Sequence, residues 1–319
     1  MSSLYIDRRD VDLRLDSGAI SIYENEMRVG TLPLAPVDRV FIRGNAKIAA
    51  NLLAELGKKD VGVILLSGRK AEPTLLMPRP HNDARRRIAQ YGKSLDEVFC
   101  LKFSKCLIEA KIQAQLELLE QERECRPVYR YEITSTINHI KELNCLVAAC
   151  ENIPSLRGIE GKASAEYFAA LTTFLPASLG FQGRNRRPPK DPFNAALSLG
   201  YTLLHSDAVM TLYGAGLDPY IGFYHALHFG RHSLACDLME TFRPQIDRLV
   251  IDCFKNKSLR TEGFSVVEQG CLMSKQTRVN FYSLYEEIAE IFRKKLTNCA
   301  YDLVDVLLPN DKNTVRTND

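Results

Sequence analysis

Met77-Pro-Arg-Pro-His-Asn-Asp83 is where the pattern of this sequence changes, and the change decides the fold. Pro78 and Pro80 fix φ and withhold amide donors, so neither a strand ladder nor a helix passes through them without loss. Before this stretch the apolar pattern is short and alternating; after it, apolar residues recur at helical spacing almost to the end. The reading is an α+β protein. A small, mainly β domain is expected over 1–80, a linker at 81–84, a larger all-helical domain over 85–308 and a polar disordered tail over 309–319.

Within the first part, Val11-Asp-Leu-Arg-Leu15 and Ala19-Ile-Ser-Ile-Tyr23 flank Asp16-Ser-Gly18, two period-two runs around a glycine turn, which is a hairpin signature. Further strands are expected at Leu4 to Asp7, Met27 to Leu32, Arg39 to Ile42 and Val61 to Leu66. One helix is expected from Ala46 to Leu56, with Asn45 as N-cap and Gly57 past its end. Edge strands in such a domain offer a dimerisation surface. Beyond the break, Ser94-Leu-Asp-Glu97 reads as a capping box opening a helix to about Glu124. Helices follow at Ser135 to Cys150, Ser155 to Thr173, Pro192 to Tyr213, Ser233 to Phe254 and Phe281 to Leu308. The one at Pro192 is the best specified: Asp191 suits the N-cap, Pro192 the first turn, and Gly214 and Gly216 close it.

The chain has 319 residues, 45% apolar, with 42 Lys and Arg against 39 Asp and Glu, which is a globular composition with room for two domains. A net charge of +3 does not separate a nucleic-acid binder from any other protein, so the placing of the charges matters more than their sum. No apolar run approaches the roughly 18 residues of a membrane span. The opening Met-Ser-Ser-Leu-Tyr-Ile-Asp-Arg-Arg lacks the apolar core of a signal peptide, so a cytoplasmic protein is expected. Nine cysteines include no Cys-x-x-Cys pair, and Cys100, Cys106 and Cys236 fall in apolar helical patterns; reduced core thiols are expected, not a disulfide framework or a zinc ribbon.

Charge concentrates in Arg184-Asn-Arg-Arg-Pro-Pro-Lys-Asp-Pro-Phe-Asn194, where Arg184, Arg186, Arg187 and Lys190 are stiffened by Pro188 and Pro189. The helix beginning at Pro192 points its free amides at this loop, so a phosphate backbone is a natural occupant. A second cluster, Arg85 to Arg87, either extends that surface or is a solvated helical turn. Glu160 lies between Gly158 and Gly161, which reads either as an exposed acid at a weak helix start or as a place where something approaches the backbone closely. Asp237 and Glu240, three apart, share a helical face and repel each other unless a cation sits between them, unless Arg231 or Arg243 neutralises them, or unless the face is simply solvated. His225, in a Gly- and Pro-punctuated apolar segment, reads as a core histidine or as a ligand completing a mixed oxygen and nitrogen set, which suits Mg2+ or Mn2+ better than zinc. His228 and His232 are alternative ligands.

In order, Gly158-Ile-Glu-Gly161 with Ala165-Glu-Tyr-Phe168, the 184–194 loop with Leu197-Ser-Leu-Gly-Tyr201, Gly216-Leu-Asp-Pro-Tyr-Ile-Gly222 with His225, and Ser233-Leu-Ala-Cys-Asp-Leu-Met-Glu-Thr-Phe-Arg-Pro244 closely resemble the CRISPR-associated spacer-acquisition integrase family over essentially the whole chain. The resemblance implies that Glu160, His225 and Glu240 are the metal ligands, with Asp237 supporting catalysis beside them as ligand or neighbour. It puts Arg184, Arg186, Arg187, Lys190, Tyr167 and Asn194 near the site as candidate DNA contacts. Some members carry two aspartates where this chain has Asp237 then Glu240, which leaves the ligand geometry open. The implied reaction is Mg2+- or Mn2+-dependent joining of a DNA 3′-hydroxyl to the CRISPR repeat by transesterification, with nuclease activity alongside. The implied partners are double-stranded and branched DNA, a second copy of the chain, and a small ferredoxin-like companion subunit. A catalytically inactive DNA-binding scaffold would be expected to lack a ligand, and all four positions are filled here. A metal-dependent phosphoesterase acting on small molecules has no need of the basic loop.

Overall fold

The alternating runs form two four-stranded sheets in the computed structural model, which describes residues 2–66, 73–77, 81–186 and 188–309. The elements are β1 (Ser2–Asp7), β2 (Val11–Asp16), β3 (Ala19–Glu24), β4 (Met27–Pro33), β5 (Val37–Arg43), β6 (Ala46–Ile48), α1 (Ala50–Lys58), β7 (Gly62–Leu65) and β8 (Thr74–Leu76). One sheet has the order β1-β5-β7-β8, the first three parallel and β8 antiparallel; the other has the order β4-β3-β2-β6. The predicted hairpin is β2–β3, with Leu13 opposite Ile22, and its turn places Ser17 and Gly18 at φ 50° and 76°, the left-handed pair a two-residue turn requires. The expected helix from Ala46 is corrected. Its first residues pair in parallel with β2, so the ladder wins them; α1 starts at Ala50, no side chain caps it, and Gly57 lies inside it. Asn45 instead donates to Asp10 Oδ1 at 2.9 Å, tying two strand ends together.

Leu13, Ile20, Val40, Ile42, Leu52, Leu56 and Val63 fill the space between the two sheets and α1. Because side chains alternate along a strand, Phe41 and Ile64 point the other way, into the core of the helical half. There Tyr5 stacks between Phe41 and Tyr282 at centroid distances of 4.6 and 4.4 Å, and its hydroxyl donates to Glu286 at 2.6 Å. Arg39 pairs with the buried Asp207, and Arg278 with Asp7 at 2.7 Å. The two halves are therefore joined by a shared sheet face as well as by chain.

The helical half comprises α2 (Ala84–Ser94), α3 (Glu97–Cys125), α4 (Arg130–Val147), α5 (Ile153–Phe174), α6 (Pro192–Gly214), α7 (Ser233–Met239), α8 (Arg243–Lys255) and α9 (Lys275–Leu307). α6 is apolar on every side and runs through the centre, which is where such a helix must go. Its cap is the predicted one, Asp191 accepting from Asn194 N at 2.8 Å. At α3 the cap is Asp96, accepting from Phe99 N, whereas Ser94 ends α2. The single helix expected over Ser233 to Phe254 is broken by a 3-10 turn at Glu240–Phe242. Pro244 explains the break, since it has no amide to give and its ring collides with the carbonyl of residue 240. A hairpin within the helical half, β9 (Phe264–Val267) and β10 (Gly270–Met273), was not expected from the sequence. It backs the basic loop: Cys271 N donates to Pro189 O at 2.6 Å, and a Cβ on Gly270 would fall 2.6 Å from Pro188 Cβ.

All nine cysteines are free, Cys100 buried as expected, Cys236 half-buried, but Cys106 exposed, so the last is not a core thiol. Among the described residues no helix is long and apolar enough to cross a membrane. Residues 310–319 of the expected tail lie outside the described residues.

Candidate active site

Glu160 and Glu240, from separate elements, meet on Lys111, and His225, from a third, lies near enough for its charge to act on Glu240. Glu160 projects from α5, whose neighbouring Gly158 and Gly161 are exposed; among the described residues, nothing beyond the helix's own nearby backbone and chain neighbours comes within 4 Å of where their Cβ atoms would be. The close approach that these glycines hinted at is thus not made by the protein itself, and bare helix backbone lies open beside the carboxylate.

His225 sits on the irregular segment between α6 and α7, and that segment is held from several sides. The buried Gln90 of α2 donates to Asp218 O and Ile221 O at 2.9 and 2.7 Å and accepts from Asp218 N at 2.8 Å, acting as a short piece of strand. Phe223 packs on Phe99 and Phe103 of α3. Asp237, wholly buried on α7, does the rest. Its Oδ2 accepts from the amides of Phe223 and Tyr224 at 2.7 and 3.1 Å, and its Oδ1 from the His225 amide at 2.9 Å and from His225 Nδ1 at 2.6 Å. A carboxylate can only accept here, so Nδ1 carries a proton and the other ring nitrogen, Nε2, is left to face a ligand. Gly222 is required by this arrangement, because a Cβ there would lie 2.7 Å from Asp237 Oδ2 and 2.8 Å from the Ser233 carbonyl carbon.

Glu240 opens the 3-10 turn, 4% exposed. Asp237 lies in α7 and Glu240 opens the 3-10 turn that follows it, and the two carboxylates have different partners. Glu240 Oε1 accepts from Arg243 Nε at 2.8 Å, and Oε2 lies 2.7 Å from Lys111 Nζ, an ionic contact without the direction of a good hydrogen bond. Lys111, from α3, is 7% exposed and also binds Glu160 Oε1, which in addition accepts from Ser164 Oγ at 3.0 Å. Burial pushes the Glu240 carboxyl up, but Arg243 and Lys111, helped by His225, outweigh it and hold it down at about 2. Arg231 bonds Ala226 O and takes no part in neutralising the acids. Neither alternative histidine joins the site: His228 donates through Nδ1 to Phe229 O, and His232 packs on Tyr220 and His205.

Two carboxylate oxygens on one cation, with an oriented imidazole nearby, are a hard-donor set that fits Mg2+ or Mn2+ in chemistry. As the side chains stand, no group of three or more His, Cys, Asp or Glu among the described residues is gathered to hold a metal, because Lys111 lies between the two glutamates.

Arg186 and Lys190 are exposed on the basic loop and free to meet a polyanion; Arg187 lies outside the described residues. Arg184 is half-buried: it donates to Asn194 Oδ1 at 2.8 Å and stacks over Tyr201. Asn194 and Tyr167 are corrected as DNA contacts. Asn194 is fully buried, accepting from Asn185 N at 3.0 Å and donating to Gly183 O at 2.9 Å, so it folds the loop. Tyr167 is fully buried too, its hydroxyl donating to Asp247 at 2.9 Å. That buried aspartate also accepts from Tyr201, over which Arg184 and Arg243 both stack, so loop and site share one interior support. The Arg85 to Arg87 cluster is divided, with Arg85 exposed and Arg87 half-buried. Arg86 is buried and donates to Ala215 O at 2.8 Å, while Arg85 pairs with Asp83 at 2.7 Å. Sequence reasoning missed Lys111 and Asp247, whose neighbours Glu109 and Arg248 make each look like an ordinary charge on a helix.

With this architecture and these motifs in place, the chain falls in the class of CRISPR-associated proteins that its sequence resembles. The family model described as CRISPR associated protein Cas1 matches residues 4–287. The chain is 42% identical over 290 residues to the CRISPR-associated endonuclease Cas1 1 of Thermodesulfovibrio yellowstonii, a match covering 90% of this chain and 91% of that protein. It belongs to the Cas1 family. Among solved structures, a casposase bound to integration product is similar at a TM-score of 0.81 and 21% identity, over 96% of this chain and 91% of that one. A Cas6-RT-Cas1–Cas2 complex is similar at 0.82 and 23%, over 96% of this chain and 35% of that one. At these identities the structural likeness speaks for the fold.

Proposed function

We propose that this protein is a divalent-metal-dependent DNA integrase and endonuclease of CRISPR adaptation, joining protospacer 3′-hydroxyl ends to the repeat. The observation that carries the reading is the meeting of Glu160 and Glu240 on one cation beside an imidazole whose outward nitrogen is left for a ligand by Asp237. Support also comes from a curated relative named as an endonuclease and a structural neighbour captured with an integration product.

In this reading Glu160, His225 and Glu240 would hold Mg2+ or Mn2+. The chemistry that ion would supply is polarisation of the scissile phosphate and stabilisation of charge on the entering and leaving oxygens. Asp237 is a positioning residue: it fixes the proton on Nδ1 and the path of the loop. Arg186 and Lys190 grip the DNA backbone, and the open strip of α5 at Gly158 and Gly161 leaves room for that backbone to come close to Glu160. The attacking group is the DNA 3′-hydroxyl, so no protein nucleophile is needed. One phosphodiester P–O bond forms as another breaks, and the leaving strand keeps a new 3′-hydroxyl. Water in place of that hydroxyl gives nuclease activity. The protein is further proposed to act as a homodimer with the small companion subunit; the neighbour solved as a complex with Cas2 supports the companion.

The test is strand joining of a labelled 3′-hydroxyl duplex into a repeat-containing plasmid, with Mg2+ or Mn2+. Glu160→Ala, His225→Ala and Glu240→Ala are each expected to abolish joining while DNA binding persists. Retained joining in any two would overturn the ligand set.

A further inference from the structure

The strand-transfer reading gives Lys111 no task, yet its ammonium occupies the middle of the site. It rises from the buried face of α3, next to Ile108 and Ile112, in a position where an unpaired ammonium is costly to keep. Two carboxylates from other elements offset that cost, Glu160 from α5 and Glu240 from the 3-10 turn. Glu240 Oε1 and Glu160 Oε1 have further partners in Arg243 and Ser164, but Glu240 Oε2, buried, has only Lys111 among the described residues. The surroundings are also uneven. The Glu240 side chain is 6% exposed and that of Glu160 21%, so the site opens to solvent on the α5 side. A lysine has four rotatable carbons, so its head can swing toward that opening while the stem stays packed on α3.

We propose that Lys111 is a built-in counter-ion that exchanges with the catalytic divalent ion. Its ammonium keeps Glu160 and Glu240 facing one another in the metal-free protein and must leave the oxygens they would offer to a metal, moving toward the α5 opening. The inference rests on the reading of those two glutamates as ligands. Charge counting argues for exchange over coexistence: Arg243 and Lys111 set two positive charges against Glu160, Glu240 and the Asp237 carboxylate behind His225, so two further positive charges at the glutamate oxygens overfill the site and repel the mobile cation. Lys111 therefore preassembles the site and at the same time weakens its hold on metal, making loading depend on the free divalent concentration.

The experiment measures Mn2+ binding to the full chain without DNA, by calorimetry and by the electron paramagnetic resonance of free Mn2+, alongside melting in EDTA. Lys111→Met and Lys111→Gln are expected to bind Mn2+ roughly tenfold or more tightly than the natural protein. They are also expected to melt earlier in EDTA and to recover that loss when Mn2+ is added. If Lys111→Met fails to fold in EDTA, refolding with Mn2+ present is the readout, and recovery only with the ion supports exchange. Unchanged or weaker Mn2+ affinity in both variants overturns it. Glu160→Gln and Glu240→Gln separate the two readings. If they lose Mn2+ while the Lys111 variants bind as the natural protein does, exchange alone falls; if they bind Mn2+ normally, the ligand set falls and exchange with it.

Discussion

Asp237→Asn is the most informative small change in this protein, because it removes one charge and no volume. The natural carboxylate accepts from four donors, two on each oxygen: Phe223 N and Tyr224 N on Oδ2, His225 N and His225 Nδ1 on Oδ1. An asparagine has one acceptor oxygen, so whichever way its amide is turned, an NH2 group faces two N–H donors. Turned toward His225 it can be met halfway by a tautomer shift of the ring, but the His225 amide still opposes it. A buried donor left unpaired costs about 1–3 kcal/mol, and breaking a buried charged contact about 3–5 kcal/mol. Allowing the loop some relaxation, a loss of about 3 kcal/mol is expected.

Melting should fall by roughly 6–12 °C if that loss is global, at roughly 2–4 °C per kcal/mol for a domain of this order of size. If the segment opens locally instead, amide exchange at Phe223, Tyr224 and His225 should quicken by roughly a hundredfold, at about 1.4 kcal/mol for each factor of ten. Nitrogen shifts of the His225 ring should report a loss of the pure Nδ1–H form, and DNA joining should drop with it. The reasoning is refuted by a variant that melts with the natural protein and keeps those amides protected yet cannot join DNA. That result would place Asp237 in contact with metal or substrate, not behind the histidine.

Gly222→Ala should produce a milder version of the same defect, because its Cβ is driven against Asp237 Oδ2 and the Ser233 backbone; unchanged melting would mean the segment shifts freely. Arg186→Glu combined with Lys190→Glu should weaken DNA binding across sequences and lower the slope of log affinity against log salt by about 2, since each phosphate contact contributes about 0.9. A change confined to repeat preference would show instead that these cations read bases. Asp247 gives the pH test. Burial raises its carboxyl to about 6 against the lowering pull of Tyr201, Tyr167, Arg184 and Arg243. Its folded pKa exceeds its unfolded one, so stability is full below pH of about 4 and falls by about 3 kcal/mol as pH rises to about 6, while only the unfolded chain gives up its proton. Asp247→Asn abolishes that term, so the variant should gain on the natural protein between pH 4 and 7. A stability difference that ignores pH would disprove it.

The parts of the fold that could be read in advance are those fixed by neighbours in sequence. The β2–β3 hairpin follows from Ser17 and Gly18 in the left-handed region between two alternating runs, and α6 from Asp191, Pro192 and an all-apolar body. The parts that could not be read depend on partners far along the chain. Ala46–Ile48 has the composition of a helix start and becomes a strand because β2 offers it a ladder. The β9–β10 hairpin has four residues per strand, too few for a period to stand out, and is secured by Pro189 from a loop some eighty residues earlier. Phe41 and Ile64 look like any strand residues, and nothing local says that their face of the sheet closes the helical core.

The site divides along the same line. Glu160, His225, Asp237 and Glu240 were legible as residues because motifs carried them, while their partners were not: Asp237 binds His225 and its loop, whereas Glu240 meets Lys111 and Arg243. The motifs also carried Tyr167 and Asn194, which turn out to be interior props, so a residue's membership in a motif marks the scaffold of a site as readily as its chemistry. Lys111 makes the limit plain when set beside Glu122 on the same helix. Both are charges buried in the apolar stripe of α3, with equal claim on a reader's attention. Glu122 meets Arg126 at 2.5 Å and Arg248, two cations that close its charge and leave a strut. Lys111 meets two carboxylates on two different elements, one of them partly open to solvent. Burial cost forces each to find partners, but only the identity of those partners, set by tertiary folding, turns one into structure and the other into part of a site.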